Sequence, residues 1–144
     1  MATCYLDTSA VVKRYVSEDT SAAFEAFVLA GTFEFVLTPL VLTEMASTLR
    51  RRQRMGDFSA SYATAASRLF HDDLLSGSEW RLVDFTPNLF RSAANLISSM
   101  ASALTTLDAL HLAAALQMKV EAFATADRQL AAAARKSKLQ VHVF

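Results

Sequence analysis

Four carboxylic acids stand out in this chain, because two of them end apolar strands and two interrupt apolar helices. Asp7 follows the run Ala2 to Leu6, and Asp127 follows Ala122-Phe123-Ala124-Thr125. Each is expected to project from a strand end just ahead of a helix. The bland reading of either residue is a helix N-cap, a position where Asp is among the favoured residues. Glu44 and Asp108 are harder to explain that way. Glu44 sits between Pro39-Leu40-Val41-Leu42-Thr43 and Met45-Ala46, and Asp108 between Thr105-Thr106-Leu107 and Ala109-Leu110. A carboxylate on an apolar surface is costly unless it is paired or coordinates a cation. No Lys or Arg lies within one turn of Asp108, and His111, three residues on, is the near neighbour placed to hydrogen-bond it.

If these acids meet, their chemistry is that of a divalent cation. Two unit charges about 4 Å apart repel by about 4 kcal/mol at an effective dielectric near 20, and a bound cation reverses that balance. Hard oxygen donors, with no cysteine or histidine pair among them, select Mg²⁺ or Mn²⁺ over Zn²⁺. Such an ion suits phosphodiester cleavage: it acidifies an attacking water, and a second ion, if bound, stabilises the leaving oxygen.

The elements that must position the acids follow from periodicity and punctuation. Ala2 to Leu6 reads as a strand, and Ala10 to Val16 as a helix. Ser17 to Ala30 is a second helix, with Ser17 and Asp19 as cap formers and Gly31 as the stop. Phe33 to Leu37 is a strand. Thr38-Pro39 then opens a helix reaching about Gly56, with Val41, Met45 and Leu49 as its buried stripe. Ser59 to Leu75 is a fourth helix, packed on the third, and Glu79 to Phe85 a weak strand. Pro87 opens a helix to about Met100, and Thr105 or Thr106 caps another reaching Met118. Ala122 to Thr125 is a strand, Ala126 to Lys138 a helix, and Leu139 to Phe144 a terminal strand.

Strands alternating with helices, and too few turn residues for hairpins, predict an α/β fold: a three-layer α/β/α sandwich around a mainly parallel sheet. Ligands of such sheets sit beyond the carboxyl ends of the strands, where Asp7 and Asp127 both fall. The length fits one domain over residues 1–144, with no repeat or linker.

Composition removes other classes. Hydrophobic residues make up 53% of the chain and charged residues 19%, which excludes disorder. Cys4 is the single cysteine, so no disulfide framework or thiolate metal site is possible. No stretch is apolar enough to span a membrane, and Asp7 breaks the first apolar run too early for a secretory signal, so a cytoplasmic protein is expected. Fourteen basic and fourteen acidic residues cancel, so contact with nucleic acid has to be local. Arg50, Arg51, Arg52 and Arg54 form the one basic cluster, suited either to RNA phosphates, to an acidic partner segment, or simply to the carbonyls at a helix C-terminus. Trp80 and the ten Phe are expected in the core.

Tyr5-Leu6-Asp7-Thr8-Ser9-Ala10, Leu42-Thr43-Glu44, Leu107-Asp108-Ala109-Leu110-His111-Leu112-Ala113 and Phe123-Ala124-Thr125-Ala126-Asp127 occur in an order and spacing that resemble the PIN-domain family. The resemblance covers nearly the whole chain. It implies a four-acid pocket binding Mg²⁺ or Mn²⁺ and cleavage of single-stranded RNA. Asp7, Asp108 and Asp127 would ligate metal, Glu44 would ligate metal or orient water, and Ser9 and Thr125 would be hydrogen-bond donors behind them. His111 is expected to orient Asp108. The compact form is similar to VapC-type toxins of toxin–antitoxin pairs, which implies a homodimer and a cognate antitoxin.

Three rival readings compete. A phosphatase-like domain wants a second acid two residues after the first, where Ser9 stands here. A PIN-like binding module without catalysis would act through dimerisation and partner contacts, but all four acids are present. A dinucleotide-binding domain is excluded, because three scattered glycines cannot build its phosphate loop.

Overall fold

The structure is a computed structural model describing residues 1–144. Five strands, β1 (Ala2–Leu6), β2 (Phe33–Leu37), β3 (Trp80–Leu82), β4 (Ala122–Thr125) and β5 (Gln140–Val143), form one sheet in the order β3-β2-β1-β4-β5. Every neighbouring pair is parallel. Seven helices connect them: α1 (Thr8–Tyr15), α2 (Ser21–Leu29), α3 (Leu40–Arg54), α4 (Ala60–Ser76), α5 (Leu89–Ser99), α6 (Thr106–Met118) and α7 (Arg128–Lys136). No helix is long and apolar enough to cross a membrane.

The three layers follow from the two-residue period of the strands. Cys4, Leu6, Phe35, Leu37, Ala122 and Ala124 face one core, shared with Val11 and Tyr15 of α1, Phe24 of α2, Met45 of α3 and Phe70 of α4. Tyr5, Val36 and Phe123, the alternate residues, face a second core with Leu89 of α5, Leu112 of α6 and Leu130 of α7. Strands buried on both faces read as continuous apolar runs, as β1 and β4 do. In α6, seven consecutive residues from Ala109 to Ala115 are buried, as expected of a helix apolar all round.

Several boundaries differ from the expectation. The second helix starts at Ser21 and not at Ser17, because the Ser21 hydroxyl accepts from the Glu18 amide and donates to the Val16 carbonyl, holding residues 16–21 in a turn. The third strand stops at Leu82: Val83 N donates to Leu37 O at 2.8 Å, and β2 has no residue further on to pair. The fifth helix begins at Leu89, two residues after Pro87.

Chain order places the site. From β1 the chain moves outward through β2 to β3, then returns to the other side of β1 with β4. The crevice beyond the carboxyl ends of β1 and β4 is therefore the topological switch point, the usual ligand position in open parallel sheets.

At the far edge, His142 of β5 packs its ring on Phe27 at 4.6 Å and Phe33 at 5.6 Å between centroids. Its Nε2 is buried without a partner, and burial holds its pKa below the ordinary value. A base with a depressed folded-state pKa is protonated first in the unfolded chain, so stability is lost as pH falls below about 6.5. Urea midpoints measured at neutral pH and near pH 5.5 should fall further in the wild type than in His142→Leu. Equal falls would show that this ring does not contribute to acid sensitivity.

Candidate active site

Asp7 is placed by the sheet. Its amide donates to Ala124 O at 3.2 Å, continuing the ladder by which Tyr5 pairs with Phe123 and Leu6 with Ala124. Asp7 consequently sits level with Thr125, and the Thr125 hydroxyl donates to Asp7 Oδ2 at 2.7 Å. The Ser9 hydroxyl reaches both carboxylate oxygens at 2.7 and 2.9 Å, and the Ala10 amide donates to Oδ1 at 3.0 Å. Asp7 is 4% exposed. Burial raises its pKa, opposed by the charge of His111 and by the hydroxyl and amide donors. The hydroxyls of Ser9 and Thr125 thus both bond the Asp7 carboxylate. Ser9 Oγ in turn accepts from Ala126 N at 2.9 Å and Thr125 Oγ1 from Asp127 N at 2.9 Å, tying both strand ends together.

Asp7 and Asp127 are also N-caps. Asp127 Oδ1 accepts from the amides of Gln129 at 2.8 Å and Leu130 at 3.0 Å. Capping and a site role are compatible here, because a carboxylate has two oxygens and only Oδ1 of Asp127 is engaged by the helix. Asp108 lies in the first turn of α6, behind the Thr105 cap. Burial raises its pKa, and the negative charges of Asp127 and Asp7 raise it further. Three acids that sequence analysis singled out are thus within electrostatic reach of one another.

Glu44 arrives from the other layer. Burial would raise its pKa, but the hydrogen bond and charge of His111, with the Thr8 hydroxyl at 2.9 Å, outweigh that and leave it lowered. The His111 Nε2 to Glu44 Oε1 distance is 2.5 Å. His111 therefore pairs with Glu44 and not with Asp108 as expected. The reason is placement: the ring, 3% exposed, points inward over the sheet, whereas Asp108 stands one turn earlier on the half-buried rim.

Sequence reasoning missed three residues. Tyr5 Oη is 2.7 Å from His111 Nδ1 and 3.1 Å from Thr38 Oγ1, and its ring stacks on Phe123 at 5.4 Å. Thr8 bonds Glu44. A buried tyrosine hydroxyl normally finds a polar partner, and that rule was the available signal for Tyr5.

No three His, Cys, Asp or Glu side chains form a preassembled metal cage. The four acids accordingly do not converge as a closed coordination shell; Asp7, Asp108 and Asp127 group together, with Glu44 beside them through His111. All the donors are hard oxygens, and at Asp108 burial and the charges of Asp127 and Asp7 outweigh the Thr105 hydrogen bond and the charge of His111. That donor set fits Mg²⁺, which keeps several waters and binds through one or two carboxylates.

The basic cluster divides. Arg52 pairs with Glu18 at 2.6 Å and Asp57 at 2.9 Å, while Arg50 lies near Gln53 on another side of α3. A cavity of about 350 Å³ opens beside the acids, walled by Thr8, Ser9, Glu44, Thr48, Arg51 and Arg52 among others.

No curated protein matches the chain by sequence. Among solved structures, VapC20 of Mycobacterium tuberculosis, described as a Sarcin-Ricin loop cleaving toxin, superposes with a TM-score of 0.67 at 15% identity, over 91% of this chain and 95% of its own. VapBC2 of Rickettsia felis, solved bound to a DNA fragment from their promoter, gives 0.66 at 15% identity over 98% of each chain. FitAcB of Neisseria gonorrhoeae gives 0.64 at 14% identity over 96% of each chain. At these identities the likeness is one of fold. The sequence itself matches the profile of the PIN domain over residues 4–136, from the strand before Asp7 to the helix after Asp127, and the chain belongs to the PIN-domain family.

Proposed function

We propose that this protein is a metal-dependent endoribonuclease, using Mg²⁺ or Mn²⁺, and the toxin of a toxin–antitoxin pair. One observation carries the reading: in a chain of the PIN-domain family, Asp7, Asp108 and Asp127 crowd at the switch-point crevice, and His111 with the hydroxyl donors offsets them only in part, so that the pKa of Asp7 and of Asp108 stays raised. The toxin assignment draws support from the fold shared with the VapC20 toxin, and the antitoxin partner from the fold shared with VapBC2. A homodimer and a cytoplasmic site of action belong to the same proposal.

A divalent ion in the crevice supplies positive charge to the scissile phosphate and acidifies water. The chain's own residues do the rest. Asp108 and Asp127 would hold such an ion, with Asp7, gripped by four hydrogen bonds from Ser9, Ala10 and Thr125, as their fixed neighbour. Glu44, ionised and held by His111 and Thr8, orients the attacking water and accepts its proton. Tyr5 acts through His111: the hydrogen bond between its hydroxyl and Nδ1 fixes the ring orientation that turns Nε2 toward Glu44.

Cleavage of single-stranded RNA in Mn²⁺ should fall about 100-fold or more in Asp7→Asn and in Asp108→Asn. Undiminished cutting by these variants would reject the site assignment, and wild-type protein that cuts no RNA would favour a non-catalytic binding module.

A second readout is independent of turnover. Since the folded-state pKa of Asp108 is raised, its ionised form weakens the metal-free fold at neutral pH, so Asp108→Asn should melt at a higher temperature than the wild type without metal. Added Mn²⁺ should raise the melting temperature of the wild type, through a stabilisation of about 2.7 kcal/mol at 100 times Kd, and that of the variant much less.

Tyr5→Phe removes one hydrogen bond while keeping the buried ring. It should lower kcat about tenfold, corresponding to about 1.4 kcal/mol, and leave KM unchanged. Nitrogen chemical shifts of His111 should move as its Nδ1 partner is lost; unmoved shifts and kcat would leave Tyr5 only a packing role.

A further inference from the structure

The cavity beside the acids has a composition of its own. Thr8, Ser9 and Glu44 form the wall it shares with the carboxylate crevice, so a chain lying over the acids continues directly into it. Thr48 and Arg51 follow Glu44 at intervals of four and three residues along α3, which places all three on one face of the helix, over about 10 Å of rise.

Charge is unequally distributed among its walls. Glu18 is bridged by Lys13 at 2.7 Å and by Arg52 at 2.6 Å, and Arg52 is also bound to Asp57 at 2.9 Å with its guanidinium 5.5 Å above the Phe58 ring. Those charges are spent on one another. Glu44 is engaged by His111 and Thr8. Arg51 is exposed, lines the cavity and forms neither an ion pair nor a hydrogen bond with any side chain. It is the free cation at the mouth of a hydroxyl-lined pocket that adjoins the proposed site of cleavage.

We propose that this cavity is a phosphate subsite for the nucleotide next to the scissile bond, in which Arg51 contacts the RNA backbone and Thr48 contributes a hydroxyl. The inference rests on the ribonuclease reading and deepens it. It also divides the arginine cluster by role: Arg52 braces α3 against residue 18 and the turn after the helix, and Arg51 binds substrate. A guanidinium suits the task because its planar fork of donors matches phosphate oxygens. RNA is favoured over an acidic protein segment because the pocket is continuous with the crevice where the backbone must pass.

The test is the salt dependence of RNA binding, measured in chelator with a short, fluorescent, single-stranded oligoribonucleotide. The wild type is compared with Arg51→Gln and with Arg50→Gln, which removes the same charge from a residue lining a separate cavity near Arg68. Arg51→Gln should make the slope of log affinity against log salt less negative by about 0.7, the share of one phosphate contact on a single strand. It should raise KM for cleavage several-fold with kcat unchanged, while Arg50→Gln stays close to the wild type. Equal shifts in the two variants, or no shift in Arg51→Gln from a wild type that cuts RNA, would overturn the subsite alone. Wild-type protein that neither binds nor cuts single-stranded RNA would overturn the ribonuclease reading beneath it.

Discussion

Crowded negative charge at the end of a parallel sheet is the constraint on which the rest of this structure depends. Asp7 is almost completely buried, and Asp108 and Asp127 stand close enough to disturb its neighbourhood and each other. A packed α/β domain accepts such an arrangement only where each carboxylate is compensated, and the compensation differs residue by residue. Hydroxyls and an amide hold Asp7, helix amides hold one oxygen of Asp127, and Asp108 is left to the solvent edge. The negative charge that these groups offset only in part, leaving the pKa of Asp108 raised, marks the place for a cation.

Glu44 is set apart from that trio by the layering of the fold. α3 packs on one face of the sheet and α6 on the other, so the Glu44–His111 contact closes across the strand ends and clasps the two helical layers together. Tyr5 anchors the clasp from beneath. Because residues two apart on a strand share a face, Tyr5 and Asp7 both lie toward α6, one supporting the histidine and the other the carboxylate group. The register of β1 against β4 does the same for Phe123 and Thr125, which stack on Tyr5 and bond Asp7 respectively. Two neighbouring parallel strands therefore build a site floor from alternate residues.

Most of the element order was legible in the linear pattern, since strands buried on both faces and helices with caps leave strong local signals. The boundaries that shifted did so where a tertiary or turn contact intervened: the Ser21 hydroxyl delays α2, and the end of β2 terminates β3. The acids were legible too, as charged interruptions of apolar segments. Their partners were not. His111 is three residues from Asp108, and adjacency on a helix suggested that pair, but the ring's inward rotamer gives it to Glu44 at a separation of 67 residues. Tyr5 carried only its hydroxyl as a mark in an otherwise apolar strand, and a hydroxyl does not name its partner.

The sequence by itself determined which chemistry is available, because residue types are local: hard oxygen donors after strands, no thiolate pair, and a basic run on one helix. It also determined the alternation of strand and helix that brings strand ends to a common edge. Only the tertiary structure decided which acids share a charge environment, which of them the histidine serves, and which arginine of the basic cluster is paired with acids and which lines the cavity unpaired. Those outcomes depend on distances between segments far apart in the chain, and periodicity within a segment carries no information about what lies across from it.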